Sequence, residues 1–398
     1  MAIRKRVWKT RAGEERSNWQ LTYKAKDGRR RTEHFDKKKL ADARAAEVKA
    51  ELMAGTHTPR RESISVKKAG GLWLARAERD NLEPTTVEQY EGLLRLHIVP
   101  HIGWVRLADL NGPAVATLDN QLHKAGVSPE MRRKVMGALS SILALAVTTG
   151  HVARNVAKGY RVKTDKRGKR RLKIGVDVPD FRELEALLGA LGDKPTWHGF
   201  VLIAAYTGMR ASELRGLRWS SVDWDRRTIH VCERADKYGV IGNPKSEGSE
   251  RDIYMPGYVL AVLQRLWKES EKDRNALVFP TRTGRPHNMP NIHSRIIAPA
   301  MLKAGLADEE GKPKYSAHSL RHYFASWAAA RVEDGGCGLE LREVQQLLGH
   351  ATLALTSDTY SHFWPTQRIA ERMRAVEQKM IGATQVQHAD RKPLQIEA

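Results

Sequence analysis

The chain has 398 residues, too many for one compact core, and its 68 Lys and Arg against 46 Asp and Glu give a formal charge of +22. That excess points to a polyanionic partner, but charge alone does not choose among DNA, RNA and an acidic membrane surface, which all bind a basic surface through the same counterion physics. Cys232 and Cys337 lack CxxC or zinc-ligand spacing, the first residues hold no apolar segment of signal-peptide length and no run could span a bilayer, so a disulfide framework and a metal knuckle are not implied and a soluble cytoplasmic protein is expected.

In chain order, strand-like stretches first surround Val7, Leu21 to Tyr23 and Thr32 to Phe35; the last two are joined by KDGRR, whose Asp27 and Gly28 are a hairpin signal. A helix rich in Ala, Glu, Lys and Leu is predicted over Lys37 to Met53, stopped by Gly55. This first unit, residues 1–58, reads as a three-stranded sheet backed by one helix, either a solubilising basic head or a nucleic-acid-binding module. A second unit, residues 62–160, follows the breaker-rich THTPRRES. Its apolar spacing is helical over Val66 to Ala77, Thr85 to His97, Gly112 to His123 and Pro129 to Thr148, which makes a small bundle. The stretch from Arg161 to Gly175, RVKTDKRGKRRLKIG, is basic and aperiodic, so it reads as an exposed linker; it resembles a nuclear-targeting run, and a tether lying along DNA explains it as well. Beyond it, residues 176–385 carry helical patterns at Asp180 to Leu191 and Thr196 to Tyr206, strand candidates Thr228 to Cys232 and Arg251 to Met255, and helices from Tyr258 onward, before a tail at 386–398. The fold class is therefore mainly α with small β-sheets (α+β), in several domains.

Several residues in the last unit carry chemistry. Arg210 and Glu213, in TGMRASELRGLRW, are three apart in a segment that reads as helical, where they share a face; a salt-bridged surface pair is the plain alternative. His318, Arg321 and His322, in HSLRHYFASW, fall at i, i+3 and i+4 and meet on one surface. They suit an anion site better than a metal site, since HSLRH lacks the Glu of the zinc-protease motif. His350 follows Gly349, a left-handed helix stop after Leu341 to Leu348, and Tyr360 lies ten residues on in TSDTYSHF.

Taken together, these motifs resemble the tyrosine recombinases, the phage integrase family of site-specific DNA recombinases. The family pattern is an Arg in TGxRxxEL, a Lys on a hairpin, HxxRH, LGH and a terminal Tyr. Its positions here are Arg210 with Glu213, Lys245 in NPKSEGSERDIYMP, His318 with Arg321 and His322, His350, and Tyr360. The likeness is close from Val176 to about Met380 and looser over the two N-terminal units. Two departures stand out: residues 331–344 are longer and richer in Gly than usual, and Lys237 shares the hairpin with Lys245, which only the family's placement before the second strand favours.

The resemblance implies a reaction in which Tyr360 attacks a DNA phosphate, leaving a 3′-phosphotyrosine and a free 5′ hydroxyl. Arg210, Arg321 and His350 would bind the phosphate oxygens, Glu213 would orient Arg210 or a neighbouring histidine, His318 would act as base and Lys245 as acid toward the leaving 5′ oxygen. No cofactor is implied: neither ATP, nicotinamide nor a divalent metal, in keeping with the lack of a GxxxxGK[ST] loop. The implied partners are double-stranded DNA at core and arm attachment sites, further copies of the chain in a homotetramer assembled on DNA, and accessory DNA-bending or directionality proteins, in a nucleoid-associated setting in a bacterial host. Ile369, Met373, Val376 and Met380 form an apolar stripe that suits docking on a neighbouring protomer or on the chain's own core. The rivals are a type IB topoisomerase, a chromosome-dimer resolvase and a DNA-binding regulator without cleavage activity.

Overall fold

Strand alternation and one short apolar face build the N-terminal sheet. The computed structural model describes residues 1–10, 13–25, 28–53, 63–163, 172–244 and 249–360. Strands β1 (Ala2–Lys9), β2 (Glu15–Lys24) and β3 (Arg30–Phe35) pair antiparallel in the order β1-β2-β3, with Ile3 opposite Leu21 and Leu21 opposite Glu33. Leu21 and Tyr23 point to one face and pack with Val48 of helix α1 (Lys38–Met53), as period-two alternation requires. Glu33 ties sheet to helix: it accepts from the Tyr23 hydroxyl at 2.8 Å and from Arg44 Nε at 3.3 Å. The hairpin residue Asp27 and the helix stop at Gly55 lie outside the described residues.

The chain splits into two compact units, Met1–Gly168 and Lys169–Ala398. The first also holds a helical bundle of α2 (Val66–Arg79), α3 (Pro84–Leu93), α4 (Val99–Ile102), α5 (Gly112–Lys124) and α6 (Pro129–Thr148). Ser65, Asn111 and Ser128 cap α2, α5 and α6 by accepting from the backbone N–H three residues on, and Pro113 and Pro129 open the last two. Leu118, Leu122, Leu139, Ile142 and Leu143 fill the core. The helix expected over Thr85 to His97 runs further: α3 passes into a wide turn, Leu94–Ile98, and on into α4. Pro100 explains the wide turn, because proline has no N–H to donate and its ring crowds the carbonyl four residues back. Inside the bundle Arg132 and Asp119 form an ion pair at 2.8 Å, and the Tyr160 hydroxyl donates to the second Asp119 oxygen at 3.0 Å.

In the second unit, α7 (Phe181–Ala190) starts with a capping box between Asp180 and Glu183, and Glu183 also accepts from Lys314 and Tyr315, both at 2.6 Å. Helix α8 (Pro195–Thr207) is buried nearly throughout and forms the centre of this core. After the short α9 (Ala211–Gly216) come β4 (Val222–Asp223), β5 (Thr228–Val231), β6 (Arg234–Ala235), β7 (Ile241–Gly242) and β8 (Arg251–Tyr254). They make a three-stranded antiparallel sheet, β4-β5-β8, and a separate hairpin, β6-β7. The remaining helices are α10 (Gly257–Glu269), α11 (Met289–Ile292), α12 (Ala298–Lys303), α13 (Ala317–Ala329), α14 (Leu341–Leu348) and α15 (Leu353–Tyr360). A wide turn again precedes a proline, His293–Ile297 before Pro299. Most of the basic linker and the apolar stripe from Ile369 to Met380 lie outside the described residues, and no described helix is long and apolar enough to cross a membrane.

Candidate active site

Two left-handed glycines shape the site. Gly208 ends α8 with φ +62, and a Cβ there would lie 2.4 Å from the Phe324 ring of α13. Gly349 ends α14 with φ +61, and a Cβ there would meet Arg251 Nη1 at 2.9 Å. The turn after Gly208 delivers Arg210 as the extended residue before α9. Arg210 and Glu213 therefore do not share a helix face, as their spacing suggests. They are joined by capping geometry instead: the Glu213 carboxylate accepts from the Arg210 backbone N–H at 2.8 Å and from its Nη1 at 2.7 Å.

Glu213 is only 1 % exposed, and a second arginine closes on it. Arg251, the first residue of β8, donates from Nη2 at 2.9 Å and from Nη1 at 3.3 Å. Burial pushes the Glu213 carboxyl up, but Arg251 and then Arg210 outweigh it and hold the group below its usual range.

The last carbonyls of α14 and its cap go to three different arginines. Leu347 O accepts from Arg251 Nε at 2.6 Å, Leu348 O from Arg321 Nη2 at 2.5 Å and Gly349 O from Arg210 Nη2 at 2.7 Å. Orphan carbonyls at a helix C-terminus carry partial negative charge, which lets three guanidiniums gather around one carboxylate. Arg321, carried on α13 and 3 % exposed, also donates to Gly208 O at 2.6 Å. Its burial and the nearby Arg210 push it down to about 9, still charged at neutral pH.

Tyr360 closes α15 and is 2 % exposed, packed with Phe324, Ala328, Val344 and Leu348. Its hydroxyl lies 2.6 Å from His322 Nδ1, and its ring stacks parallel to that of His350 with centroids 6.3 Å apart. His350 Nδ1 lies 2.8 Å from Thr356 Oγ1, and the His318 ring sits edge-on to His322 at 4.6 Å. Burial pushes the Tyr360 phenol up to about 12, with Arg321 pulling the other way. Burial also pushes His322 down to about 4, helped by His318 and Arg321, and His350 to about 4, helped by Arg321, Arg210 and Arg251. His318 is lowered for the same reasons, burial first and then Arg321 and Arg210. At neutral pH the site thus sets three guanidiniums and neutral imidazoles around one carboxylate and a neutral phenol. This surplus of partly buried positive charge suits an anion.

The structure brings together Arg210, Glu213, His318, Arg321, His322, His350 and Tyr360. The sequence reading gives the base role to His318, whereas the histidine touching the Tyr360 hydroxyl is His322. Lys245 lies outside the described residues, and Lys237 sits at the β6–β7 tip with its Nζ 5.6 Å from the Tyr238 ring. Two residues escaped the sequence reading. Ser249, 2 % exposed, accepts from Arg210 Nη1 at 3.4 Å, and Arg251 holds Glu213. A signal for Arg251 was present: in RDIYM it alternates in phase with the buried Ile253 and Met255, so it belongs on the inner face.

A helical core that gathers arginine forks, histidines and a buried tyrosine in one place has the groups that covalent phosphoryl transfer uses. The model of the phage integrase family matches residues 180–366. The tyrosine recombinase XerC of Xylella fastidiosa is 30% identical over 243 residues, covering 60% of this chain and 72% of that protein. The solved structure of the Tn1549 transposon integrase in complex with a circular intermediate DNA aligns with a TM-score of 0.64 at 19% identity, covering 79% of this chain and 100% of that one. A lambda integrase tetramer bound to a Holliday junction aligns with a TM-score of 0.55 at 17% identity, covering 87% and 95%. The chain belongs to the tyrosine recombinase family, and it is an enzyme that cleaves and rejoins DNA in site-specific recombination.

Proposed function

We propose that the chain is the integrase of a phage or other mobile element, with Tyr360 as nucleophile. The observation that carries the residue roles is the contact of a buried tyrosine hydroxyl with His322 beside three guanidiniums, two of which share one carboxylate. Arg210 and Arg321 clamp the non-bridging oxygens of the scissile phosphate, and His350 supplies a further donor. With the phenol at about 12 and His322 at about 4, the proton stays on Tyr360 until an anion arrives. A phosphate between Arg210 and Arg321 offsets their charge and raises the proton affinity of His322. His322 then takes the phenolic proton as the oxygen–phosphorus bond forms, with His318 beside it as a second donor or base. The 3′-phosphotyrosine forms as the bond to the 5′ oxygen breaks, and Lys245 gives that oxygen its proton. Attack by a 5′ hydroxyl from a partner duplex reverses the step.

In this reading residues 1–58 are an arm-type DNA-binding domain, 62–160 a core-binding domain, 161–175 a basic linker and 176–385 the catalytic domain. The first assignment is supported by the sheet face opposite Leu21, where Arg4, Arg6, Arg16, Lys24 and Arg30 are exposed. Four protomers assemble on two DNA sites, as the lambda integrase does on its junction, and accessory DNA-bending proteins set the direction.

The test is a covalent-adduct assay, in which wild type and Tyr360→Phe are incubated with DNA fragments flanking the gene. Protease-sensitive, SDS-resistant complexes are expected with wild type alone. Adducts of equal yield with Tyr360→Phe would sink the assignment of the nucleophile.

A further inference from the structure

Arg251 is outside the set that the motifs single out, yet it joins three parts of the site. Its side chain is 7 % exposed and the carboxylate it meets 1 %, so its fork is turned inward. Nε takes Leu347 O at 2.6 Å, Nη1 takes Ser249 O at 2.8 Å and Glu213 Oε1 at 3.3 Å, and Nη2 takes Glu213 Oε2 at 2.9 Å. These are four hydrogen bonds to the protein itself, two of them a bidentate fork on one carboxylate. The same carboxylate holds both the backbone N–H and the Nη1 of Arg210. The guanidinium also lies against the Gly349 turn, since a Cβ there would meet Nη1 at 2.9 Å.

We propose that Arg251 is a positioning residue for strand cleavage: its fork fixes the Glu213 carboxylate and the Leu347 carbonyl beside the Gly349 turn, and so sets where Arg210 and His350 meet the phosphate. This rests on the reading of Arg210 and His350 as phosphate ligands. Lysine cannot replace it, because a single ammonium does not span both carboxylate oxygens and Leu347 O with a planar fork. Without the fork, Glu213 keeps only Arg210 and is free to swing, and Arg210 swings with it. A displacement of about 1 Å at a reacting group costs about 10²-fold in rate. Because the fork faces inward, the loss falls on the chemical step and spares DNA affinity.

The experiment measures single-turnover adduct formation at saturating DNA, with DNA affinity measured separately, for Arg251→Lys, Glu213→Gln, the double variant and Arg210→Ala. Arg251→Lys keeps the charge and most of the volume, and Glu213→Gln keeps the shape of the carboxylate, so neither opens a large cavity. The expected result is about 10²-fold slower cleavage for Arg251→Lys at unchanged DNA affinity. The double variant should be no slower than the slower single one, because both residues act through one carboxylate. Three results overturn the proposal: cleavage by Arg251→Lys at the wild-type rate, single-variant losses that multiply in the double, or a loss that appears only as weaker DNA binding. Arg210→Ala separates the two layers. If it cleaves like wild type, the reading of the phosphate ligands falls; if it is inactive while Arg251→Lys is normal, only the positioning role falls.

Discussion

Two buried arginine networks in this chain are built on opposite balances of charge. In the bundle, Arg132 and Asp119 pair one to one at 2.8 Å, each side chain 7 % exposed, and Tyr160 satisfies the remaining Asp119 oxygen. In the catalytic unit, Arg210 and Arg251 share Glu213, while Arg321 beside them is held by backbone carbonyls at the ends of α8 and α14. The first network is neutral: both Asp119 oxygens are paired within the protein, and only the buried Arg132 Nε is left without a hydrogen-bond partner. The second is left with surplus positive charge, which the protein tolerates because an anionic substrate completes it. A buried ion pair and a binding site can thus be told apart by counting charges across the network.

The largest effect expected from this contrast lies in the bundle. Asp119→Ala strands a buried guanidinium and should cost about 3–5 kcal/mol, read as a lower melting transition of that unit. A shift equivalent to under about 1 kcal/mol would mean that the bundle network is as tolerant of imbalance as the catalytic one. Next comes Arg321→Lys, for which cleavage should fall by about 10²–10³ while melting moves much less than in Asp119→Ala. If melting collapsed and the residual folded protein cut at full rate, Arg321 would be a structural residue like Arg132.

A further effect is pH-dependent. His322 and His350 are held at about 4 in the folded chain against about 6.5 unfolded, so between these values the unfolded state binds more protons. Their contribution to stability is complete above about pH 6.5 and is lost as pH falls toward 4. A melting temperature of the catalytic unit that stays flat over this window would show that these imidazoles are not buried neutral.

The bundle helices were legible because their cores repeat at helical spacing and their caps are written in the chain as Ser65, Asn111 and Ser128. The wide turns before Pro100 and Pro299 were not, since a proline inside a periodic pattern signals trouble without saying whether the helix stops or widens. The β6–β7 hairpin was expected only through the resemblance that places Lys237 on one, because two-residue strands have no period to read. The members of the site were legible from the order of the motifs. Their contacts were not: His318 and His322 lie on the same side of α13, and which one meets Tyr360 depends on where α15 packs, a long-range matter. Arg251 was missed because an arginine at the head of a strand is more often solvated than turned inward.

Gly208 and Gly349 give this site its datum points. Arg321 grips the carbonyl of the first and Arg210 that of the second, while neither position has room for a methyl group or a backbone that ordinary residues favour. The Arg321 and Arg210 forks are therefore gauged against main chain rather than against other side chains. An engineer who wants new DNA specificity can trade surface residues and whole DNA-facing segments, but has to graft them around this pair of fixed marks.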